Sequence, residues 1–249
     1  MIGSYLFNGI LIRNVKVGAL STFLSDIYSS KEEKHVHLLA ASSVVSARKD
    51  NDLVSIFRSG FSLCDSAPLA KIVKLSIPDF QQIRGSDLLR TILKNDQGNV
   101  NHFFIVPNDN VYTAIRRYAI KENNKINICG SLVPEFSNDF SRFYESWATE
   151  IKKVGADYIW IGLGSPKQDQ IASDLSKLTG TLCIAVGAAI EFVSGEKKEA
   201  PKILQSLYLE WFFRLCSDPK RLLKRYTVEN VIFIRLISTH LIRKWIKHY

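Results

Sequence analysis

The sequence has few of the residues from which metal sites and disulfide frameworks are built. Its 249 residues include four cysteines, which lie far apart in apolar surroundings and form neither a CxxC pair nor a cluster with histidine. That spacing favours buried, reduced thiols over a zinc site or a disulfide framework. No pair of acidic residues has a spacing that demands a divalent metal. We therefore expect no metal and no other cofactor.

Long apolar runs are also missing. No window reaches the roughly 18–20 uninterrupted apolar residues that a membrane-spanning helix needs. The first segment, MIGSYLFNGILIRNV, lacks the basic start, the long apolar centre and the small-residue cleavage site of a signal peptide. With 46% hydrophobic and 23% charged residues, the composition is that of a globular protein with a sizeable core. We expect a cytoplasmic protein.

Positive charge is concentrated near the end of the chain. The net charge is +9, and from Lys202 to Tyr249 ten lysines and arginines stand against three acidic residues. This asymmetry indicates a basic C-terminal surface that contacts an anionic partner. Nucleic acid, anionic lipid and a diphosphate are all candidates.

Short apolar runs alternate with longer mixed segments along residues 1–200. Runs rich in Val, Ile and Phe, apolar on both faces, are typical of buried parallel strands. They predict strands at His35–Ala40, Phe61–Cys64, His102–Val106, Ile126–Cys129, Asp157–Ile161 and Leu182–Val186. Helical stretches such as Asn110–Glu122 and Asp139–Val154 lie between them. This alternation predicts an α/β fold, a Rossmann-like, mostly parallel open sheet with helices on both faces.

Four of these strands end in a reactive or loop-forming residue. The four residues are Asp65, Gly130, Gly162 and Gly187. In open parallel sheets, ligands bind in the crevice beyond the carboxyl ends of the strands, so these positions would converge on one cleft. The alternative is that each residue only ends its strand.

The stretch GLGSPKQDQ follows a predicted strand and leads into a predicted helix. Gly162 and Gly164 would let backbone N–H groups approach a ligand closely, and the helix N-terminus attracts anions. Together with Ser165, Pro166 and Lys167, they predict a binding site for a phosphate or diphosphate.

Residues 201–249 predict a helical, basic C-terminal appendage. Apolar residues recur there at helical spacing. They are Leu204, Leu207, Tyr208, Trp211, Phe212 and Leu215. Packing against the core explains this stripe without a ligand. The stretch Val231–Tyr249 combines apolar residues with Arg, Lys and a Trp, as in an interfacial helix lying on a membrane. An amphipathic helix docked on the domain or on another subunit is the alternative.

A glycine-rich phosphate site, an acidic residue at a strand end and a basic C-terminal segment together favour an enzyme that transfers a sugar from a nucleotide-activated donor. Asp65 would act as general base on an acceptor hydroxyl. Arg214, Arg221 or Arg225 would neutralise the departing diphosphate. The stretch RGSD at 84–87 would form a further turn near the cleft, and a helix N-cap by Ser86 explains it equally well.

Three segments carry a resemblance to a known family: RGSDLL at 84–89, GADYIWIGLGSPKQDQ at 155–170, and VGAAIEFVSGEKKEAPKILQSLYLEWFFRLCSDPKRLLKRY at 186–226. ARKDNDL at 47–53 and CDSAPL at 64–69 match more loosely. From about residue 35 to 226 the chain resembles the WecG/TagA/CpsF family of bacterial glycosyltransferases, glycosyltransferase family 26. The resemblance implies an inverting, metal-independent transfer from a UDP-sugar, of the N-acetylmannosamine or glucose type, to a polyprenyl-diphosphate-linked acceptor at the cytoplasmic membrane face.

The resemblance also implies roles for particular residues. Asp65 falls on the family's proposed base, and Gln168 lies at its active site. Arg214, Arg221 and Arg225 match basic residues of an appendage that closes over the cleft and helps hold it to the membrane.

The sequence departs from the family pattern at three places in its first half. Ala40 or Ala41 stands where the family has Asn, and Ser66 follows the catalytic Asp in place of Gly. The stretch 107–109, Pro-Asn-Asp, replaces a Gly-Gly pair. A non-catalytic membrane-associated partner that regulates another transferase is therefore the alternative, favoured by the missing Asn and opposed by the retained Asp65 and Gln168.

Two other classes fit poorly. Basic residues interleaved with aromatic ones on a sheet face, as nucleic-acid-binding proteins use, are not evident. No G-x-G-x-x-G follows the first predicted strand, so a nicotinamide enzyme is not supported. A homo-oligomer remains open, because the apolar stripe of the appendage would pack equally well within or between subunits.

Overall fold

Eight strands and twelve α-helices make up the described part of the chain. A computed structural model describes residues 3–135, 137, 140–206, 210–217 and 219–246, with the backbone alone at 206, 214, 217, 220–228 and 243–246. The strands are β1 (Ser4–Phe7), β2 (Ile10–Arg13), β3 (His35–Leu39), β4 (Phe61–Cys64), β5 (Asn101–Ile105), β6 (Asn127–Leu132), β7 (Tyr158–Ile161) and β8 (Leu182–Ala185). The α-helices are α1 (Leu20–Ser29), α2 (Ala41–Ala47), α3 (Asn51–Ser59), α4 (Ala67–Lys74), α5 (Gly85–Asn95), α6 (Asp109–Glu122), α7 (Tyr144–Lys153), α8 (Lys167–Thr179), α9 (Ala189–Ser194), α10 (Lys202–Ser206), α11 (Glu210–Ser217) and α12 (Pro219–Ile246). Short 3-10 helices lie at Val17–Ala19 and Ser141–Phe143.

All eight strands form one sheet in the order β1-β2-β4-β3-β8-β7-β5-β6. Only β1 and β2 pair antiparallel, and every other neighbouring pair is parallel. The predicted α/β fold with a mostly parallel open sheet is confirmed. Strands β3 and β8 are neighbours, but the chain leaves β3 toward β4 on one side and reaches β8 from β7 on the other. Such a reversal opens a crevice at the carboxyl ends of the strands.

Helices cover both faces of the sheet, and β7 illustrates why its sequence is apolar throughout. Tyr158 and Trp160 point into a core shared with α1, α5, α6 and α9. Ile159 and Ile161 point into the core on the opposite face, shared with α7 and α8. Because successive side chains of a strand alternate between faces, a strand covered on both sides is apolar at every position.

The predicted strands all exist; β4 has the predicted bounds, and the bounds of the other five differ by one to three residues. The largest difference is at β6, which continues through Gly130 to Leu132. The N-terminal hairpin of β1 and β2 was not predicted. Its turn has positive φ at Asn8 (48°) and Gly9 (85°), which is the conformation that Asn-Gly favours in a two-residue hairpin turn.

The last helix, α12, packs one face on the α/β core. Phe233 and Leu236 are buried in the core cluster that includes Phe7, and the Tyr5 hydroxyl lies 2.9 Å from Nε2 of His240. The alternative of an amphipathic helix docked on the domain therefore describes this face. Residues on another face, including Val231, stay exposed. Within the described ranges, no helix is long and apolar enough to cross a membrane.

Candidate active site

Asp65 lies directly after β4, at the carboxyl edge of the sheet, and is half-buried. Its Oδ1 accepts the backbone N–H of Gly85, the first residue of α5, at 3.4 Å. Its own carbonyl oxygen accepts the side-chain amide of Gln82 at 2.8 Å. The N-terminus of a helix carries partial positive charge, so the Asp65 carboxylate lies in the positive field of α5.

The turn between β7 and α8 is closed by a side chain rather than by the backbone alone. Gly164 has φ +82°, a conformation that side chains other than hydrogen rarely allow. Its N–H donates to Oε1 of Gln168 at 2.9 Å, and its carbonyl accepts the N–H of Gln168 at 3.1 Å. Gln168 is 4% exposed. The side-chain amide of Gln168 therefore stabilises the conformation of the turn.

Missing Cβ atoms let these elements approach one another. A Cβ on Gly85 would lie 3.0 Å from the carbonyl oxygen of Val186, and one on Gly187 would lie 3.3 Å from Oε1 of Gln168. One on Gly162 would lie 3.2 Å from the carbonyl oxygen of Gly187. Side chains at these positions would crowd the site. Asp65 is thus hydrogen-bonded to Gly85 of α5, Gly85 lies beside the end of β8, and Gly187 after β8 lies beside Gln168 of the turn.

The turn also holds a buried polar atom without a partner. Ser165 Oγ is buried and has no hydrogen-bond partner among the described residues. A buried hydroxyl without a partner is costly, so a ligand that accepts its hydrogen bond would relieve that cost. Lys167, the first residue of α8, donates its ammonium to the carbonyl of Ser137 at 2.6 Å and lies over the ring of Phe140. Pro166 precedes it at the helix N-cap.

Gly130 does not lie at a strand end, so the prediction that it ends its strand is wrong. It is inside β6, the edge strand, because β6 continues for two more residues. A Cβ there would overlap the ring of Phe103, which explains the glycine by packing. Of the four predicted strand-end positions, Asp65, Gly162 and Gly187 follow β4, β7 and β8, which lie within the central part of the sheet.

The sequence also matches the profile of a known protein family. The profile described as "Glycosyl transferase WecG/TagA/CpsF family" matches residues 5–247, nearly the whole chain. The chain belongs to this family. As a member of the WecG/TagA/CpsF family it is a glycosyltransferase, acting on a sugar donor and an acceptor in polysaccharide biosynthesis.

The departures from the WecG/TagA/CpsF pattern have local structural roles. Ser66 is the N-cap of α4, where its Oγ accepts the N–H of Leu69 at 3.4 Å. Asn108 is the N-cap of α6, where its Oδ1 accepts the N–H of Val111 at 3.0 Å. Both replacements fit the preference for Ser and Asn at helix N-caps. Ala40, the N-cap of α2, and Ala41, its first residue, carry no polar side chain, so no polar group replaces the family's Asn at either position.

The sequence RGSD forms the start of α5, and its contacts differ from the expected ones. The helix N-cap is Arg84 and not Ser86, so the alternative of a Ser86 cap is wrong. Ser86 instead donates its hydroxyl to Oε1 of Glu199 at 2.6 Å. Arg84 donates Nη1 to Oε1 of Gln205 at 2.8 Å, and its Nε lies 3.9 Å from a carboxylate oxygen of Glu210. These contacts join the helix beside Asp65 to α10 and α11, a link that sequence spacing does not indicate.

The remaining predicted residues lie in the appendage. Arg214, Arg221 and Arg225 fall on α11 and α12, but their side chains lie outside the described residues. Leu207 and Tyr208 also lie outside the described part of the chain. Trp211 and Phe212 are 44% and 49% exposed. The expectation that the apolar stripe packs into the core is wrong for these two rings.

No group of three or more potential metal ligands lies together in the described ranges.

Proposed function

We propose that this glycosyltransferase moves a sugar of the N-acetylmannosamine or glucose type from a UDP-sugar to a polyprenyl-diphosphate-linked acceptor. The observation that carries the proposal is the buried Ser165 Oγ, which has no hydrogen-bond partner in the described part of the chain. It lies in the glycine turn at the start of α8, and this turn adjoins the end of β8, beside which lies Gly85, the hydrogen-bond partner of Asp65. A donor diphosphate bound at this turn would accept a hydrogen bond from Ser165 and meet the N-terminus of α8.

The Asp65 carboxylate is the proposed base of an inverting displacement. It takes the proton from the acceptor hydroxyl while that oxygen bonds to the anomeric carbon of the sugar. The bond from that carbon to the UDP oxygen breaks on the opposite face, and its electron pair leaves with the diphosphate. Positive partial charge at the N-terminus of α8 stabilises the leaving group. In the proposal Lys167 supplies a nearby full charge, and Arg214, Arg221 and Arg225 supply more from the appendage, so no metal is required.

An acceptor carried on a lipid requires the protein to work at a membrane surface. We propose that α12 and the basic residues after Pro201 provide this contact on the inner face of the cytoplasmic membrane. Val231, Ile234 and Ile242 are exposed on α12, and the segment is strongly basic. Apolar side chains beside basic ones favour an anionic bilayer interface.

The test is a transfer assay with the full chain, a panel of radiolabelled UDP-sugars and polyprenyl-diphosphate acceptors in anionic vesicles. We expect one sugar class to be transferred with inversion at the anomeric carbon, equally well with and without EDTA. A strict Mg²⁺ requirement would overturn the metal-independent step. Selective UDP binding without transfer of any sugar in the panel would favour the non-catalytic partner.

A further inference from the structure

A line of buried polar side chains runs from the surface to the first turn of α8. Oε2 of Glu33 lies 3.1 Å from Nε2 of His35. Nδ1 of His35 lies 2.7 Å from Nε2 of His37, and Nδ1 of His37 lies 2.8 Å from Oδ1 of Asp169. Both rings are fully buried, and Asp169 is 2% exposed. No step of the proposed transfer uses any of these four groups.

The buried histidines restrict the residues that can lie beside them. Both histidines are on β3 and point to the face covered by α3 and α8, where Phe57 packs edge-on against His37. A Cβ on Gly60 would overlap the ring of His35, so this position accepts only glycine while the ring is present. Burial, followed by the neighbouring His37 and Lys177, lowers the pKa of His35 to about 3. The His35 ring is therefore neutral at physiological pH.

Asp169 connects the line to the active site. It is the residue after Gln168, whose side-chain oxygen accepts the N–H of Gly164. The Asp169 N–H donates to the carbonyl of Pro166 at 3.0 Å, so its backbone is part of the same turn. Its side chain reaches β3, the strand between β4, which leads to Asp65, and β8. Asp169 Oδ2 is buried without a partner among the described residues, a cost that a purely structural helix start does not need.

We propose that His37 and Asp169 are positioning residues for the donor turn. Their buried hydrogen bond fixes the first turn of α8 to β3. This keeps Gln168 and Gly164 at a set distance from Asp65. His35 orients the His37 ring through the contact between its Nδ1 and Nε2 of His37. This rests on the proposed function for what the turn binds. Preorganisation of a binding residue by a buried second residue is a general requirement for precise sites.

The test uses four full-length variants and two measurements, hydrogen–deuterium exchange of residues 162–170 and calorimetric titration with UDP. His37→Leu removes the donor to Asp169. His37→Asn keeps an N–H at the position of Nδ1. His102→Leu is the matched control, because His102 is also a buried strand histidine, accepting from Trp160 Nε1 at 3.0 Å, but lies away from the turn. Asp169→Ala removes the acceptor without adding bulk and replaces His37→Leu if that variant does not fold.

We expect His37→Leu to speed exchange of residues 162–170 and to weaken UDP binding, each about tenfold. His37→Asn should keep both within about twofold, and His102→Leu should change neither, even where it lowers the melting temperature. Equal effects of His37→Leu and His102→Leu, or unchanged exchange in His37→Leu, would overturn the proposal. If the unmodified protein does not bind UDP, the proposed donor fails, whereas the exchange comparison still decides the positioning role.

Discussion

Gln168 Oε1 accepts the backbone N–H of Gly164 at 2.9 Å, so a side chain on the helix holds the turn that precedes that helix. The same oxygen lies 3.3 Å from where a Cβ on Gly187 would be. The amide of Gln168 thus hydrogen-bonds to the turn after β7 and lies beside Gly187, which follows β8. A change in the backbone conformation of Gly164 would therefore alter its hydrogen bond to this amide.

Gly164→Ala should weaken UDP binding by about tenfold, because a side chain at φ +82° is strained by about 1–2 kcal/mol and the turn would relax away from Gln168. Gly180→Ala is the control. Gly180 ends the same helix at φ +70°, and a Cβ on either residue would meet open space. Both variants should lose similar thermal stability. Equal UDP affinity in the two variants would show that the turn does not hold the donor.

Asp65→Asn should reduce transfer by more than about a thousandfold, since Asn is too weak a base to take the acceptor proton. UDP affinity should change little, because the donor turn is formed by other residues. The fold should also persist, since the Asn side-chain oxygen can still accept the N–H of Gly85. Transfer rates and UDP titrations of the same preparation test this. Turnover comparable to that of the unmodified enzyme would remove Asp65 from the role of base.

Glu199 predicts a pH-dependent stability. Burial raises its pKa, but hydrogen bonds from Arg90 and Ser86 outweigh burial and lower the pKa of Glu199 below its ordinary value of 4.5. A lowered pKa means that the ionised group stabilises the fold above about pH 4.5, and that this stabilisation is lost as the pH falls through the lowered pKa.

Glu199→Gln should therefore lower the unfolding free energy by about 1 kcal/mol at pH 7, with a difference that shrinks as the pH falls below 4.5. Denaturant unfolding at several pH values measures it. Glu150→Gln, at an exposed position of α7, is the control and should show no such difference. A constant difference across the whole pH range would contradict the assignment to ionisation of Glu199.

The exposed face of α12 should bind anionic vesicles. Val231 and Ile234 are 67% and 61% exposed, so replacing both with Glu should weaken vesicle binding at least about tenfold by removing apolar contact and adding repulsion. Leu75→Glu is the control, since Leu75 is 76% exposed outside the appendage. Sedimentation with vesicles separates the two variants. Truncation after residue 200 is a poorer test, because it uncovers the core beneath Phe233 and Leu236.

The sheet could be predicted because a parallel strand covered on both faces is a continuous apolar run, and β4 was predicted with its exact bounds. The N-terminal hairpin was missed, although Asn8-Gly9 between two apolar runs is a strong hairpin signal. Gly130 was misplaced because a glycine within an edge strand and a glycine that ends a strand look alike in sequence. The difference is made by Phe103, which packs where a Cβ would lie.

The contacts that organise the site could not be predicted, because they join distant positions. His37 and Asp169 are 132 positions apart, and Arg84 and Gln205 are 121 apart. Neither pair leaves a local pattern, since each forms only after the strands have been ordered in the sheet. The exposure of Trp211 could not be predicted from the sequence either, because helical spacing indicates an apolar face but not what covers it.

The most direct test of the account is a calorimetric titration of the full-length protein with UDP, repeated with ADP, GDP and NAD and in the presence of anionic vesicles. The account predicts selective UDP binding in the micromolar range, about −8 kcal/mol, lost in part in Gly164→Ala. Equal binding of all four nucleotides, or no UDP binding with vesicles present, would contradict a UDP-sugar donor at the glycine turn.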